Sequence, residues 1–199
     1  MQKIASLRII VMASGLSRRF GSNKLLRPIA GRPMFMHILN LLHGYQTECM
    51  ETTDVIVVSA WPEILKAADE FGFIAVRNEE NEKGIAESIK LGLAAPGSFE
   101  PDLAAFFTAD QPFFSATSLQ KFVRTALLQS DRITCVRAGK RLGNPVAFPR
   151  DLFGELQALE GDVGGKAVLR KHPKRVFYVD VPLHELQDID TPEDFAAMV

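Results

Sequence analysis

The chain has 199 residues, 47% hydrophobic and 24% charged, with a formal net charge of −1 at pH 7; these are the proportions of a folded domain with its own core, not of a disordered chain. The near-zero charge gives no reason to expect a nucleic-acid or acidic-membrane partner, so any cationic site must be local. No run is apolar for long enough to read as a secretory signal or a membrane span, and Cys49 and Cys135 lack metal-ligand spacing, so buried or idle thiols in a reducing cytoplasm are expected.

Residues 7–13, LRIIVMA, form a short β-branched run without polar alternation, the pattern of a strand covered on both faces. Residues 33–46 carry apolar side chains at helical spacing, with Pro33 suited to a first turn. Next come an expected strand at 54–60, a helix at 62–72 ending at Gly72, a strand at 73–77, a helix at 84–95 and a strongly apolar strand at 103–109. A helix over 115–129 has Ser115 or Thr117 as N-cap. Strands at 132–138, 144–149 and 175–182 follow, with helices near 150–159 and 164–171 and a last helix after DIDTPED. Repeated strand–helix units predict an α/β fold: one domain over residues 1–199, a mostly parallel sheet with helices on both faces. Ligands of such sheets bind beyond the carboxyl ends of the strands. The loop at 13–24 and Asp110, each leaving a strand end, are therefore expected on one rim.

That loop, ASGLSRRFGSNK, fits neither common phosphate motif. Gly15 and Gly21 have five residues between them and Ser22 stands where a Walker A needs lysine, and the Gly-x-Gly-x-x-Gly fingerprint is absent. Its ingredients are still those of an anion cradle. Gly15 allows close backbone approach, Arg18 or Arg19 supplies a fork of donors, and Lys24 a compact charge; a surface loop of solvated arginines accounts for the same composition. Asp110, in FFTADQPF, reads either as a turn residue before Pro112 or as a carboxylate for a hard cation. Asp188 and Asp190 form a second acidic pair, which serves equally as a helix start. His37, His43, His172 and His184 show no pairing or metal-ligand spacing and are read as structural or exposed.

Ala13, Gly15, Ser17, Arg19, Phe20, Gly21, Lys24, Leu25 and Leu26, at these spacings after a strand, resemble the signature loop of the MobA-like nucleotidyltransferases. Within that group they are most like the molybdenum cofactor cytidylyltransferases, the MocA-type enzymes. NEENEKGIAESIKLGL resembles the family's Asn…Gly-x-x-x-Ser segment, carried by Asn78 or Asn81, Gly84 and Ser88. TADQPF, GNPVAF, GDVGGKAVL and DIDTPED resemble its later blocks, so the likeness runs along essentially the whole chain. Asn144 departs from the pattern at a position often held by His, and Glu82 and Lys83 stand where relatives often have an aromatic residue.

The resemblance implies a three-layer, Rossmann-like nucleotidyltransferase fold and transfer of CMP from CTP to the terminal phosphate of Mo-molybdopterin. It makes Arg19, Lys24 and Asp110 catalytic. Nucleotide binding falls to Ala13, Ser14, Gly15, Leu16, Ser17, Arg19, Lys24, Gly84 and Ser88, and acceptor binding to Asn144, Asp162 and Lys166. Mg2+ is implied on Asp110, with Asp190 as second ligand, and a recipient molybdoenzyme or chaperone as a transient partner, in the cytoplasm. Three alternatives stay open: a guanylyltransferase or other nucleotidyltransferase of the same fold, a metal-dependent glycosyltransferase, and a non-catalytic nucleotide-binding partner of a molybdoenzyme.

Overall fold

The computed structural model describes residues 5–17, 20, 23–48 and 53–189, with 47 and 48 described by backbone alone. Its strands are β1 (Leu7–Met12), β2 (Pro28–Ile29), β3 (Arg32–Pro33), β4 (Thr53–Ser59), β5 (Ile74–Arg77), β6 (Leu103–Thr108), β7 (Ile133–Ala138), β8 (Arg141–Pro149) and β9 (Val176–Asp180). The α-helices are α1 (Met34–Glu48), α2 (Pro62–Glu70), α3 (Ile85–Ala94), α4 (Ala116–Leu128), α5 (Phe153–Gln157) and α6 (Lys166–Lys171).

β1 lies inside a seven-stranded sheet of order β5-β4-β1-β6-β8-β7-β9. Its pairings with β4 and β6 are parallel, which suits a strand whose Leu7, Ile9, Ile10 and Val11 are fully buried. Burying each of these side chains is worth about 1.5–3 kcal/mol. The period-two pleat divides them: Leu7, Ile9 and Val11 join the core under α1, α2 and α4, and Ile10 the core under α3, α5 and α6. Arg8, inside the apolar run, is nevertheless buried. It donates to the Ala95 carbonyl at 2.9 Å and stands 3.9 Å from the Asp54 carboxylate, so its charge is compensated.

The expected strands and helices appear with boundaries shifted by a few residues, and Ser115 is the α4 cap, its hydroxyl accepting from Ser118 N at 3.1 Å. Three features differ from the sequence reading. Pro33 precedes the helix and pairs with Pro28 in a small antiparallel β2–β3 ladder. The segment at 150–159 is a 3-10 turn followed by the short helix α5. β8 runs antiparallel to both β6 and β7, because the chain turns back through Gly139 and Lys140, and a link that short permits only a hairpin. Gly139 has φ +59, open to glycine at little cost. The expected C-terminal helix lies outside the described residues.

Candidate active site

The carboxyl end of β1 feeds a loop that is stitched to its neighbour β4. Ala13 N and the Ser14 hydroxyl both donate to the Val58 carbonyl, at 2.8 and 3.2 Å, and the Ser59 hydroxyl donates to Ala13 O at 2.9 Å. Buried Phe20 and Leu25 pin the far side of the loop into the core. Ser17 adopts a left-handed backbone, φ +48, and its hydroxyl accepts from Lys24 N at 3.1 Å. Asn23 then caps the 3-10 turn Lys24–Leu26 by accepting from Leu25 N at 3.0 Å. Among the described residues, no partner within the protein accepts from the backbone N–H groups of residues 14–17. A Cβ on Gly15 would meet nothing within 4 Å, so the loop presents an open backbone face.

This turn aims Lys24 at the residue leaving β6. Lys24 Nζ lies 2.9 Å from Asp110 Oδ2, with the two side chains only 11% and 21% exposed. The second carboxylate oxygen, Asp110 Oδ1, is buried and accepts no hydrogen bond. Behind it, Gln111 Nε2 donates to Asp188 Oδ1 at 2.6 Å and Ile189 N to Asp110 O at 3.3 Å, so the 188–189 segment braces the turn that carries Asp110. Asp188 Oδ2 stands 3.7 Å from Arg141 Nη2.

Three contiguous spaces lie along this rim, one of them lined by the pair itself. A cleft of about 270 Å3 opens between the loop and the start of α3, lined by Ser14, Gly15, Asn81, Gly84 and Ser88. A passage of about 130 Å3 continues from it past Lys24 and Asp110. Beyond Met12 and Ile85 lies a second cleft of about 410 Å3, bearing Asn144, Asp162, Lys166 and Arg170, within the range of about 300–1,000 Å3 common for small-molecule sites. Asp162 borders both clefts. The loop that holds it covers the start of α3, with Gly161 O accepting from Ala86 N at 3.1 Å.

The rim expected from the sequence is therefore present: residues 13–17, Lys24, Gly84, Ser88 and Asp110 converge, with Asn144, Asp162 and Lys166 in the adjoining cleft. Leu16 borders the first cleft and Ala13 is buried beneath the loop. Arg18, Arg19 and Asp190 lie outside the described residues. Of the two asparagines left open, Asn81 faces the cleft and donates to Ser14 O at 3.3 Å, and Asn78 is buried and donates to the Ser88 hydroxyl at 3.2 Å. His37 bonds Ile29 O at 2.9 Å and His43 packs against Phe71, as expected of structural histidines, but His172 is paired, 2.7 Å from Glu155.

Gln111 and Thr108 escaped the sequence reading. Gln111 followed Asp110 directly, which was its one signal, and Thr108 ends the strand with a buried hydroxyl that has no partner. The donor set suits a hard cation of the Mg2+ type, which takes one or two carboxylates and completes its shell with water and phosphate oxygens. The uncommitted Asp110 Oδ1 meets that need, and among the described residues no cluster of three or more His, Cys, Asp or Glu forms a site of another kind.

A profile described as the MobA-like NTP transferase domain matches residues 9–176. Among curated proteins, the bifunctional protein GlmU of Novosphingobium aromaticivorans is 32% identical over 120 residues, covering 59% of this chain and 25% of that protein. Its counterpart in Paramagnetospirillum magneticum is 27% identical over 122 residues, again 25% of its length, so the chain spans about a quarter of these relatives. Among solved structures, Rv0371c from Mycobacterium tuberculosis aligns with TM-score 0.76 and 23% identity over 98% of both chains, and it has also been solved in complex with manganese. A nucleotidyl transferase from Methanothermobacter aligns at 0.75 and 19% identity, covering 96% of this chain and 95% of its own. CMP:2-keto-3-deoxy-manno-octonic acid synthetase complexed with CTP aligns at 0.70 and 15% identity, covering 97% and 96%. At these identities the likeness to solved structures is one of fold.

Proposed function

The chain belongs to the MobA-like NTP transferase family, and from that premise we propose that it transfers CMP from CTP to the terminal phosphate of molybdenum-molybdopterin, releasing pyrophosphate. The observation that carries the reaction type is the Lys24–Asp110 pair at 2.9 Å, standing in the passage between two clefts. It sets a cation and a carboxylate where two bound molecules would meet. The choice of CTP is supported by the likeness of residues 13–26 to MocA-type loops and by a neighbour of the same fold that was solved with CTP. The choice of acceptor is supported by the likeness of GDVGGKAVL, the block around Asp162, to the family's.

In this reading the nucleotide occupies the cleft between the loop and α3. The N–H groups of residues 14–17, with Arg19, hold its β and γ phosphates, and Asn78 fixes the Ser88 hydroxyl beneath it. Asn144, Asp162 and Lys166 orient the acceptor in the second cleft. A terminal phosphate oxygen, anionic near neutral pH, attacks the α-phosphorus and forms the new phosphoanhydride. The bond between the α-phosphorus and the bridging oxygen breaks in line, and pyrophosphate leaves with the electron pair. The nucleophile needs no general base, so the protein's task is to bring two anions together and neutralise them. Lys24 does this at the α-phosphate. Asp110, with Asp190 as second ligand, would hold Mg2+, which neutralises phosphate charge and polarises the phosphate oxygens when bound.

Pyrophosphate release with Mg2+, comparing CTP, GTP and ATP with and without Mo-molybdopterin, tests the proposal. Acceptor-dependent release with CTP is expected. Preference for GTP would replace the cytidylyl reading with a guanylyl one, and no acceptor-dependent release with any nucleotide would leave a nucleotide-binding partner protein.

A further inference from the structure

We propose that Lys24 is an internal counter-ion that keeps the Asp110 carboxylate closed to a divalent cation until nucleotide phosphates draw the ammonium away. This rests on the reading of Asp110 as the metal carboxylate, and its test separates the two.

The reaction makes competing demands on these two side chains. Lys24 must reach the α-phosphate and Asp110 must face a divalent cation, but in this structure the ammonium occupies Asp110 Oδ2 at 2.9 Å. Oδ1 accepts no hydrogen bond, but a divalent cation there would share one small, mostly buried carboxylate with the ammonium on Oδ2, and the two cations would repel each other at short range, where water screens them poorly. Holding both at once is therefore unfavourable, and one displaces the other. A lysine suits the exchange. Its charge is a compact ammonium on a flexible stem with rotatable donors, whereas a planar arginine fork would lock onto the carboxylate.

The destination is close. The passage that contains Lys24 and Asp110 is also lined by Ser14, Gly15 and Ser88, the residues that border the nucleotide cleft. The main chain of Lys24 does not need to move, since its N–H is tied to the Ser17 hydroxyl and its carbonyl accepts from Arg27 N at 3.1 Å. Only the side chain swings. The pair thus neutralises Asp110 within the protein and orders binding: phosphate first claims the lysine, and the carboxylate then accepts metal. By linkage, whatever factor the nucleotide adds to metal affinity, the metal adds to nucleotide affinity.

Titration of the protein with Mn2+ alone, followed by electron paramagnetic resonance without nucleotide, tests this. Lys24→Met should bind Mn2+ roughly tenfold more tightly than the wild type, within the ~5- to 150-fold span of ordinary site couplings. Lys24→Gln, which is polar and uncharged, should do the same, and unfolding by urea shows that both variants are folded. The gain should vanish in Lys24→Met/Asp110→Asn. It should persist in about 1 M KCl, where the screening length falls to about 3 Å, because cations sharing one mostly buried carboxylate are screened far less by salt than exposed charges at a distance. Unchanged Mn2+ affinity in both lysine variants, or a gain that disappears in high salt, would overturn the counter-ion role. If Asp110→Asn alone also leaves Mn2+ binding intact, the metal reading of Asp110 fails with it; if it abolishes binding, only the counter-ion role fails.

Discussion

Gly84 packs directly under Gly161. A methyl group added at Gly84 would overlap the Gly161 carbonyl and lie 2.6 Å from Asp162 Oδ1, and the Gly84 backbone is left-handed, with φ +91. Space and conformation both demand glycine at the point where the two clefts adjoin. Gly84→Ala is expected to lower stability by roughly 2 kcal/mol or more and to raise the KM for both nucleotide and acceptor. Gly92→Ala is the control. Its methyl would press on Ile10 within the core, so it should lower stability by about 1–3 kcal/mol with both KM values retained. Urea unfolding and steady-state kinetics on the two variants separate these outcomes.

Lys24→Ala should lower kcat by about 10²–10³-fold, the usual loss when a charge-stabilising donor is removed, with a smaller effect on nucleotide affinity. A raised KM with full turnover would assign the lysine to binding alone. Asp110→Ala should abolish metal-dependent turnover. Persistent activity in a folded variant would place the metal elsewhere.

Lys166 and Arg170 lie four residues apart on α6 and both border the larger cleft. Like charges at that helical spacing repel, a cost that an anionic acceptor would offset. Lys166→Glu should therefore raise the KM for the acceptor about tenfold, an effect of about 1.4 kcal/mol. The nucleotide dissociation constant, measured by calorimetry without acceptor, should stay the same.

Arg175 grips Asp151 through two nitrogens, at 2.6 and 3.1 Å, and this hydrogen bonding holds the Asp151 carboxyl below the usual carboxylate range. A carboxyl depressed on folding adds its stability above its unfolded value of about 3.9 and loses it as pH falls through the lower folded value. Both side chains are partly exposed, so the contribution is about 0–1 kcal/mol. Asp151→Asn should show a small deficit in urea midpoint at neutral pH, closing toward about pH 3. A gap that widens on acidification would reverse the assignment.

Burial pushes the Cys135 thiol up to about 12. At pH 8 the thiolate is then roughly one part in 10⁴, so alkylation at Cys135 should be negligible in the native protein and rapid once urea unfolds it. Peptide mapping after iodoacetamide treatment reads this site on its own.

The sequence read most clearly where a local pattern decides structure. LRIIVM announced a doubly covered strand because burial on both faces removes polar alternation, and Ser115 announced its helix because a hydroxyl there satisfies a backbone donor. Arg8 shows the limit of such patterns: its compensation comes from Asp54 and Ala95, remote in sequence, so nothing nearby signalled that a charge could be buried. The reversal of β8 was missed because Gly139-Lys140 is a weak turn signal beside the alternation around it. At the site, the meeting of the 13–24 loop and Asp110 on one rim was legible because each leaves the carboxyl end of a strand. The Lys24–Asp110 contact was not, because it joins groups 86 residues apart and depends on the 3-10 turn that aims the lysine. Gln111 went unread because its partner, Asp188, lies 77 residues away.

The interior position of β1 also has a consequence for synthesis. Its two flanking strands are β4 and β6, at residues 53–59 and 103–108, so β1 leaves the ribosome ahead of both partners and keeps one edge open until β6 follows. At ~5–20 residues per second, LRIIVM waits on the order of 5–20 s with an unpaired edge, the kind of surface that invites wrong pairing. The loop at residues 13–17 that follows it cannot meet Asp110 before then. Any truncated product ending ahead of β6 therefore carries Lys24 without its partner Asp110, together with an exposed sticky strand for chaperones and proteases to act on.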